Sequence, residues 1–208
     1  MVKNLPDENF LPWHSINIMK NKIKDNSYSH FMYLEDDIIV NSKNISYWIY
    51  FRKVLKKIDL IPNFIRCETY KGKLFSVDNP KKLIKNKNPV IFAENKEFGF
   101  INSKYPYSGM YLMDRELLKN FLKSKAIKID FSFNNRVMKS LYPIKELVNI
   151  SYAYLDVPKR YHNKLVLPFM KNKIPEFSII KHCDLKYVRH KPLNKMGYGT
   201  INIENLIA

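Results

Sequence analysis

The sequence predicts an α/β fold. Short apolar strands alternate with amphipathic helices along the chain, and no internal repeat interrupts that alternation. The 208 residues, 46% hydrophobic and 14% aromatic, are enough to bury a sizeable core. The same composition excludes a wholly disordered chain, a collagen-like fibre and a disulfide-stapled miniprotein. No internal boundary is evident, so we expect a single domain over residues 1–208.

Each predicted element follows from a local pattern. Apolar residues at helical spacing predict helices over 14–26 and over 45–58, the second with Asn44 as its N-cap. An apolar run predicts a strand at His30–Leu34, directly before three acidic residues. The other predicted elements are strands at 64–68 and 73–77 around a turn at 71–72, strands at 90–93 and 98–101, a surface loop at 79–89, an extended segment at 107–112, and helices at 114–121, 131–141 and 143–150.

The charge is strongly positive, with 36 Lys and Arg against 19 Asp and Glu. One interpretation is a polyanionic partner, such as nucleic acid, phosphate-bearing substrates or an anionic membrane face. The other is compositional, because 30 of the basic residues are Lys and Asn and Ile are also abundant. Both interpretations stay open on the sequence alone.

Location is predicted from what the sequence does not contain. No apolar run approaches the roughly 20 residues that span a bilayer, and Pro6, Asp7 and Glu8 do not fit a signal peptide. Cys67 and Cys183 show no CxxC spacing, which favours reduced thiols. We therefore expect a cytoplasmic protein, with peripheral contact at the inner membrane face as a hypothesis from its charge.

The sharpest local feature is the run Glu35-Asp36-Asp37 after an apolar strand. Three neighbouring carboxylates repel one another, and a hard divalent cation removes that cost. Mg²⁺ and Mn²⁺ take oxygen ligands and commonly share them with substrate phosphates. The run therefore predicts a metal–phosphate site, with an acidic turn that caps the next helix as the alternative.

Tyr33-Leu34-Glu35-Asp36-Asp37-Ile38 resembles the DxD-type metal motif of nucleotide-sugar glycosyltransferases with the GT-A fold. Further segments resemble, in the same order, a family of bacterial and plant GT-A-like proteins. They are 11–14, 61–68 (IPNFIRCE, similar to IPGFIRVE), 107–118, 144–147 (IKEL, similar to REMA), 156–160 (DVPKR, similar to NVPKG) and a late segment around His182. The resemblance implies a GT-A-like mixed sheet flanked by helices.

The resemblance also implies roles on the donor side. Asp37 would bind Mn²⁺ or Mg²⁺ directly, and His182 would be a late metal ligand or a diphosphate contact. Glu35 or Asp36 would contact the donor ribose or a metal-bound water. The metal would stabilise the diphosphate as leaving group. For His182 the alternative is a packing or surface histidine.

On the acceptor side, the resemblance implies that Gly109 lets a glycan or lipid-linked acceptor approach the backbone. Glu146 would be the general base for the acceptor hydroxyl, and Asp114 competes for that role. The alternatives are a strand kink at Gly109, a surface carboxylate at Glu146 and a helix cap at Asp114.

The chain also departs from the family. Only 34 residues precede Glu35, too few for the nucleotide-binding half, so we expect the central and C-terminal parts of an N-terminally truncated GT-A domain. Asn63 and Arg160 stand where the family has Gly, and Lys145 stands where it has Arg.

Other function classes fit the sequence less well. It contains no GxGxxG, no phosphate loop, no HExxH and no GxSxG. The rivals are an inactive glycosyltransferase remnant, a metal-dependent phosphohydrolase using the same acids, and a basic nucleic-acid-binding module. The prediction is a metal-dependent glycosyltransferase with a nucleotide-sugar donor and no nucleic-acid partner.

Overall fold

A computed structural model describes residues 11–85, 90–93, 96–135 and 143–208. The helices are α1 (Leu11–Lys22), α2 (Ser42–Leu55), α3 (Arg115–Lys123), α4 (Ile129–Asn134), α5 (Ile144–Ile150), α6 (Lys186–Arg189) and α7 (Lys191–Lys195). The strands are β1 (His30–Leu34), β2 (Ile38–Ile39), β3 (Ile61–Pro62), β4 (Ile65–Tyr70), β5 (Lys73–Ser76), β6 (Val90–Ala93), β7 (Lys96–Asn102), β8 (Met110–Asp114), β9 (Leu165–Phe169), β10 (Ile179–His182) and β11 (Ile201–Asn202). The predicted α/β class is confirmed.

The chain forms two compact units. The first unit comprises Met1–Glu35 and Gly109–Asp156, and the second comprises Asp36–Ser108 and Val157–Ala208. Glu35 is thus the last residue of one segment, and Asp36 begins the next. The prediction of a single domain over 1–208 stays a prediction.

The first unit is built on one antiparallel ladder. β1 pairs with β8 from His30 opposite Asp114 to Leu34 opposite Met110. Helix α1 packs against α5 and buries Trp13, Ile16 and Met19, which are spaced three apart and share one face. The apolar spacing that predicted this helix therefore marks its buried side.

The second unit contains two mixed sheets. The five-stranded sheet has the order β11-β5-β4-β10-β2, in which only β4 and β10 are parallel. The four-stranded sheet has the order β3-β9-β7-β6, in which only β3 and β9 are parallel. A hydrophobic core includes Cys67 from β4, Leu167 from β9 and Leu206 near the C-terminus. These non-local strand pairings bring residues far apart in sequence to one edge.

Helix α2 begins three residues before its predicted start. Its N-cap is Asn41, whose side chain accepts from the Asn44 amide at 3.1 Å, while the Asn44 side chain accepts from the Asn41 amide at 2.9 Å. The prediction of Asn44 as N-cap was wrong by one turn. Asn44 is instead the reciprocal member of a capping box, and its side-chain amide donates to the Phe177 and Ile179 carbonyls.

The remaining predicted elements agree with the structure in position, with shifted ends. The β4–β5 hairpin turns at Lys71 and Gly72, as the sequence predicts, and both residues have positive φ. The helix predicted over 131–141 begins at Ile129, and Asn135 is no longer helical. Residues 136–141 of that prediction, and residues 86–89 of the predicted loop, lie outside the described residues. Within the described part of the chain, no helix is long and apolar enough to cross a bilayer.

Candidate functional site

The edge of the five-stranded sheet brings Asp37 and His182 together. β2 and β10 run antiparallel, with Ile38 opposite His182, and the Cys183 amide donates to the Asp37 carbonyl at 2.8 Å. This register places Asp37 Oδ2 3.0 Å from His182 Nε2, across 145 residues of sequence. The two residues predicted as metal ligands are therefore neighbours in the second unit.

The other imidazole nitrogen of His182 is held from the interior. Nδ1 donates to Glu68 Oε1 at 2.8 Å and to the Asp184 carbonyl at 2.7 Å. Glu68 is fully buried, and its oxygens also accept from the amides of Tyr187 at 3.3 Å and Val188 at 2.9 Å. A buried carboxylate with several donors is satisfied, so Glu68 holds the ring of His182 in one orientation.

The protonation of His182 follows from these partners. Because both ring nitrogens face oxygen acceptors, the imidazole donates from both only in its cationic form. Burial disfavours that charge and is the largest single influence on the His182 pKa, and nearby Arg66 also lowers it. The hydrogen bonds to Glu68 and the Asp184 carbonyl and the charge of Asp37 outweigh both, so the pKa lies above its ordinary value.

One carboxylate oxygen of Asp37 makes no hydrogen bond within the described part of the chain. Oδ2 contacts His182, whereas Oδ1 has no contact with solvent and no hydrogen-bond partner among the described residues, although the Asp37 side chain as a whole is 38% exposed. An unpaired carboxylate oxygen shielded from water is unfavourable, and a bound cation would satisfy it. The donor set is one carboxylate and one imidazole whose far nitrogen is held by a carboxylate, an arrangement common behind metal-bound histidines.

A buried ion pair lies beside this group. Arg66 on β4 donates from Nε and Nη2 to the two oxygens of Asp78, at 3.0 and 2.5 Å. Its guanidinium also lies 5.1 Å from the ring centroid of Tyr107 and 5.4 Å from that of Tyr187. The ring of Tyr187 thus packs on Arg66, while its amide binds Glu68, so the two buried charged groups share one anchor.

Sequence reasoning missed Arg66, Glu68 and Asp78 as parts of this network. A signal for two of them was present, because Arg66 and Glu68 are two apart in an otherwise apolar strand. Alternate residues of a strand share a face, so Arg66 and Glu68 point to the same side of β4. The alternation Ile65-Arg66-Cys67-Glu68 is equally typical of a strand with one solvent-facing side, and only the structure shows that this face is buried. Neither Asp78 nor His182 carries a local pattern that marks it as the partner of a buried charge on β4, although the family resemblance implies a metal role for His182.

The remaining donor-side and acceptor-side candidates, Asp36, Glu35 and Gly109, are divided between the two units. Asp36, in the second unit, is exposed. In the first unit, the Glu35 amide donates to the Gly109 carbonyl at 3.0 Å, and Asn149 Nδ2 lies 3.5 Å from Glu35 Oε1. Gly109 has φ of +68°, a left-handed conformation that favours glycine.

The two predicted acid–base candidates lie at helix starts of the first unit. Asp114 caps α3, because its Oδ1 accepts from the Leu117 amide at 2.6 Å. This is the capping role that the sequence left open. Glu146 lies half-buried in the first turn of α5. Their roles toward an acceptor stay predictions.

A separate cavity of about 430 Å³ lies in the second unit beside α2. It is lined mainly by aromatic rings, those of Tyr47, Tyr50, Phe51, Phe98 and Phe177. It shares no lining residue with the Asp37–His182 pair, so it belongs to a different part of the surface.

Among the described residues, no group of three or more His, Cys, Asp or Glu side chains is arranged to hold a metal ion. A cation at Asp37 and His182 would therefore complete its coordination with ligands from outside these side chains, such as phosphate oxygens and water. Comparisons of the chain with protein-family models, with curated proteins and with solved structures find no match.

Proposed function

We propose that this protein is a divalent-metal-dependent glycosyltransferase of GT-A type, which moves a sugar from a nucleotide-diphosphate donor to a hydroxyl of a glycan. The observation that supports the proposal is the pairing of Asp37 with His182 at 3.0 Å. The resemblance implies a metal role for each of these residues independently of their geometry. An acidic turn that merely capped α2 would need neither the late histidine nor a buried, unpaired Asp37 oxygen.

A second observation supports the resemblance itself. Arg160 stands where the similar family has Gly, and its φ is +79°. A left-handed conformation is costly for a residue with a side chain and routine for glycine. The backbone of this loop thus has the geometry that a glycine in the family would serve.

One carboxylate and one imidazole can hold a divalent cation, and they suit Mn²⁺ better than Mg²⁺, which prefers oxygen ligands. Asp37 supplies carboxylate oxygen, and His182 supplies Nε2 once that nitrogen has lost its proton. Mn²⁺ or Mg²⁺ bound there would neutralise the donor diphosphate and stabilise it as it leaves the sugar. Two protein ligands are few, which suits an ion that shares its coordination with substrate phosphates.

The residues of the chain itself have these roles in the proposal. Asp37 and His182 hold the ion, and Glu68 is a positioning residue that orients His182 through Nδ1. Asp36 and Glu35 remain the proposed donor contacts. Gly109 on the acceptor side, and Glu146 or Asp114 as base, remain proposals that rest on the resemblance.

Isothermal titration of the full chain with Mn²⁺, and then with a uridine or guanosine diphosphate, tests the proposal. We expect diphosphate binding that requires Mn²⁺ and is lost on chelation. The Asp37→Asn substitution keeps the shape of the side chain, and it should weaken Mn²⁺ binding by tenfold or more. Exposed Glu176→Gln, which removes the same charge from the same unit, is the matched control and should bind as the native protein does.

Two results would count against the proposal. One is a diphosphate affinity that is the same with and without Mn²⁺. The other is an Asp37→Asn variant with native Mn²⁺ affinity, which would leave the Asp37–His182 pair with a structural role only. Mn²⁺-dependent diphosphate binding without hydrolysis or transfer of a nucleotide sugar would indicate the inactive remnant instead.

A further inference from the structure

The excess of positive charge is concentrated in part of the second unit. Residues 79–85, 171–173 and 185–203 together contain nine Lys and Arg and no Asp or Glu. Asp78, just before the first segment, is buried against Arg66 and does not offset this charge at the surface. Exposed Asp184 and Glu204 border the third segment and offset two of the nine positive charges. The three segments are called the basic surface below.

Contacts in the structure connect the three segments. Lys85 Nζ donates to Asn172 Oδ1 at 2.8 Å, which joins the first segment to the second. Gly197, with φ of +94°, lies so near Pro80 that a Cβ there would meet the Pro80 carbonyl oxygen at 2.5 Å. The basic surface is thus one connected region rather than three separate charge runs.

Two large apolar side chains project from this basic surface. Ile84 is 69% exposed and Met196 is 66% exposed, more than the other large hydrophobic residues described as exposed. Neighbouring Leu83 is 6% exposed and packs in the core, so the 79–85 segment is anchored while Ile84 faces outward. Exposed aliphatic side chains amid lysines are unfavourable in water and typical of an interaction surface.

We propose that the basic surface binds anionic lipid bilayers, with Ile84 and Met196 entering the headgroup region and the surrounding lysines meeting lipid phosphates. Peripheral membrane binding combines buried apolar area with attraction to anionic lipids, and the basic surface offers both. Each lysine near such a surface contributes about a fivefold gain in partition. This proposal stands independently of the proposed function, because the basic surface includes neither Asp37 nor His182.

A lipid surface fits these residues better than nucleic acid does. Single-stranded nucleic acid is bound by aromatic rings that stack on bases, and the side chains that project here are aliphatic. Arg, the better fork for phosphate, occurs here only at Arg189, which lies over the ring of Tyr70 at 5.8 Å.

Co-sedimentation of the full chain with vesicles tests the proposal. The probes are vesicles of phosphatidylcholine alone and vesicles with about one third phosphatidylserine, at low and at high salt. We expect binding only to the anionic vesicles and a large loss at high salt. Lys81→Gln/Lys82→Gln should weaken partition by about tenfold or more, whereas Lys53→Gln/Lys57→Gln, the same charge change elsewhere in the unit, should weaken it far less.

The apolar part of the proposal has its own variant. Ile84→Ser/Met196→Ser removes two exposed side chains without touching the core, and it should weaken binding to anionic vesicles by tenfold or more. Native-like vesicle binding by this variant would overturn the insertion of these residues. Equal loss in both lysine variants would reduce the effect to net charge. Tight binding to a single-stranded oligonucleotide with no binding to anionic vesicles would overturn the proposal in favour of nucleic acid.

Discussion

Glu68 and His182, 114 residues apart in the sequence, are joined by a hydrogen bond of 2.8 Å inside the second unit. β4, which carries Glu68, runs parallel to β10, which carries His182, so the sheet itself sets this distance. This hydrogen bond fixes the orientation of the imidazole ring, so that its Nε2 atom points toward Asp37. The interior of the sheet thereby controls the geometry at its edge.

This bond predicts how stability depends on pH. The folded pKa of His182 lies above the value of about 6.5 for an unfolded chain. A base with a raised folded pKa adds stability that is complete below the unfolded pKa and is lost as pH rises through the folded pKa. In chelator, the free energy of unfolding lost in His182→Gln should therefore be larger at about pH 6 than at about pH 9. Urea unfolding of both proteins measures this, and a loss that grows with pH would contradict the assigned cation.

Alanine substitutions at two glycines distinguish the cost of a left-handed backbone from the cost of a steric clash. Gly72 and Gly199 have φ of +72° and +67°, but only Gly199 is crowded, since a Cβ would lie 2.6 Å from the Tyr187 carbonyl carbon. Gly72→Ala should cost about 1 kcal/mol from the left-handed conformation alone. Gly199→Ala should cost clearly more, because the backbone that binds Glu68 must shift. Thermal unfolding of the two variants compares them, and equal losses would mean that the chain near Tyr187 yields easily.

Replacing Arg160 with glycine should stabilise the protein. Arg160 is exposed, and its backbone is in the left-handed region, which is unfavourable for a residue with a Cβ. Arg160→Gly should therefore relieve about 1–2 kcal/mol of strain. The greater entropy of an unfolded glycine offsets roughly half of that gain, which leaves about 0.5–1 kcal/mol. Arg160→Ala is the control, because it removes the same side chain but keeps the Cβ. A gain in the alanine variant equal to that of the glycine variant would contradict backbone strain as the cause.

The two cysteines should differ in reactivity. Cys183 is exposed, whereas Cys67 is fully buried. Burial, with a further contribution from the charge of Asp78, raises the pKa of the Cys67 thiol far above its ordinary value. Iodoacetamide should therefore label one site in the native protein and both in urea, which peptide mass spectrometry distinguishes. Rapid native labelling of Cys67 would show that the β4 core opens readily.

Local patterns were enough to predict many elements. Three examples are the apolar run of β1, the turn at Lys71 and Gly72, and the helix that Asp114 caps. Each depends on residues only a few positions apart in the sequence. For α2 the same reasoning selected Asn44 instead of Asn41, because two asparagines three apart offer two caps and only the backbone conformation chooses between them. Such local preferences depend on neighbouring residues in the sequence and not on the tertiary fold, so they can be recognised without a structure.

The sequence by itself determined that acids follow a strand, that Arg66 and Glu68 share a face of β4, and that positive charge is in excess. Only the tertiary structure decided that His182 lies between Glu68 and Asp37, because that contact depends on which strands pair. Strand order is a property of the whole sheet, set by the joint burial of many apolar residues. No single segment carries that information, so the partners of buried charges emerge only when the sheets form.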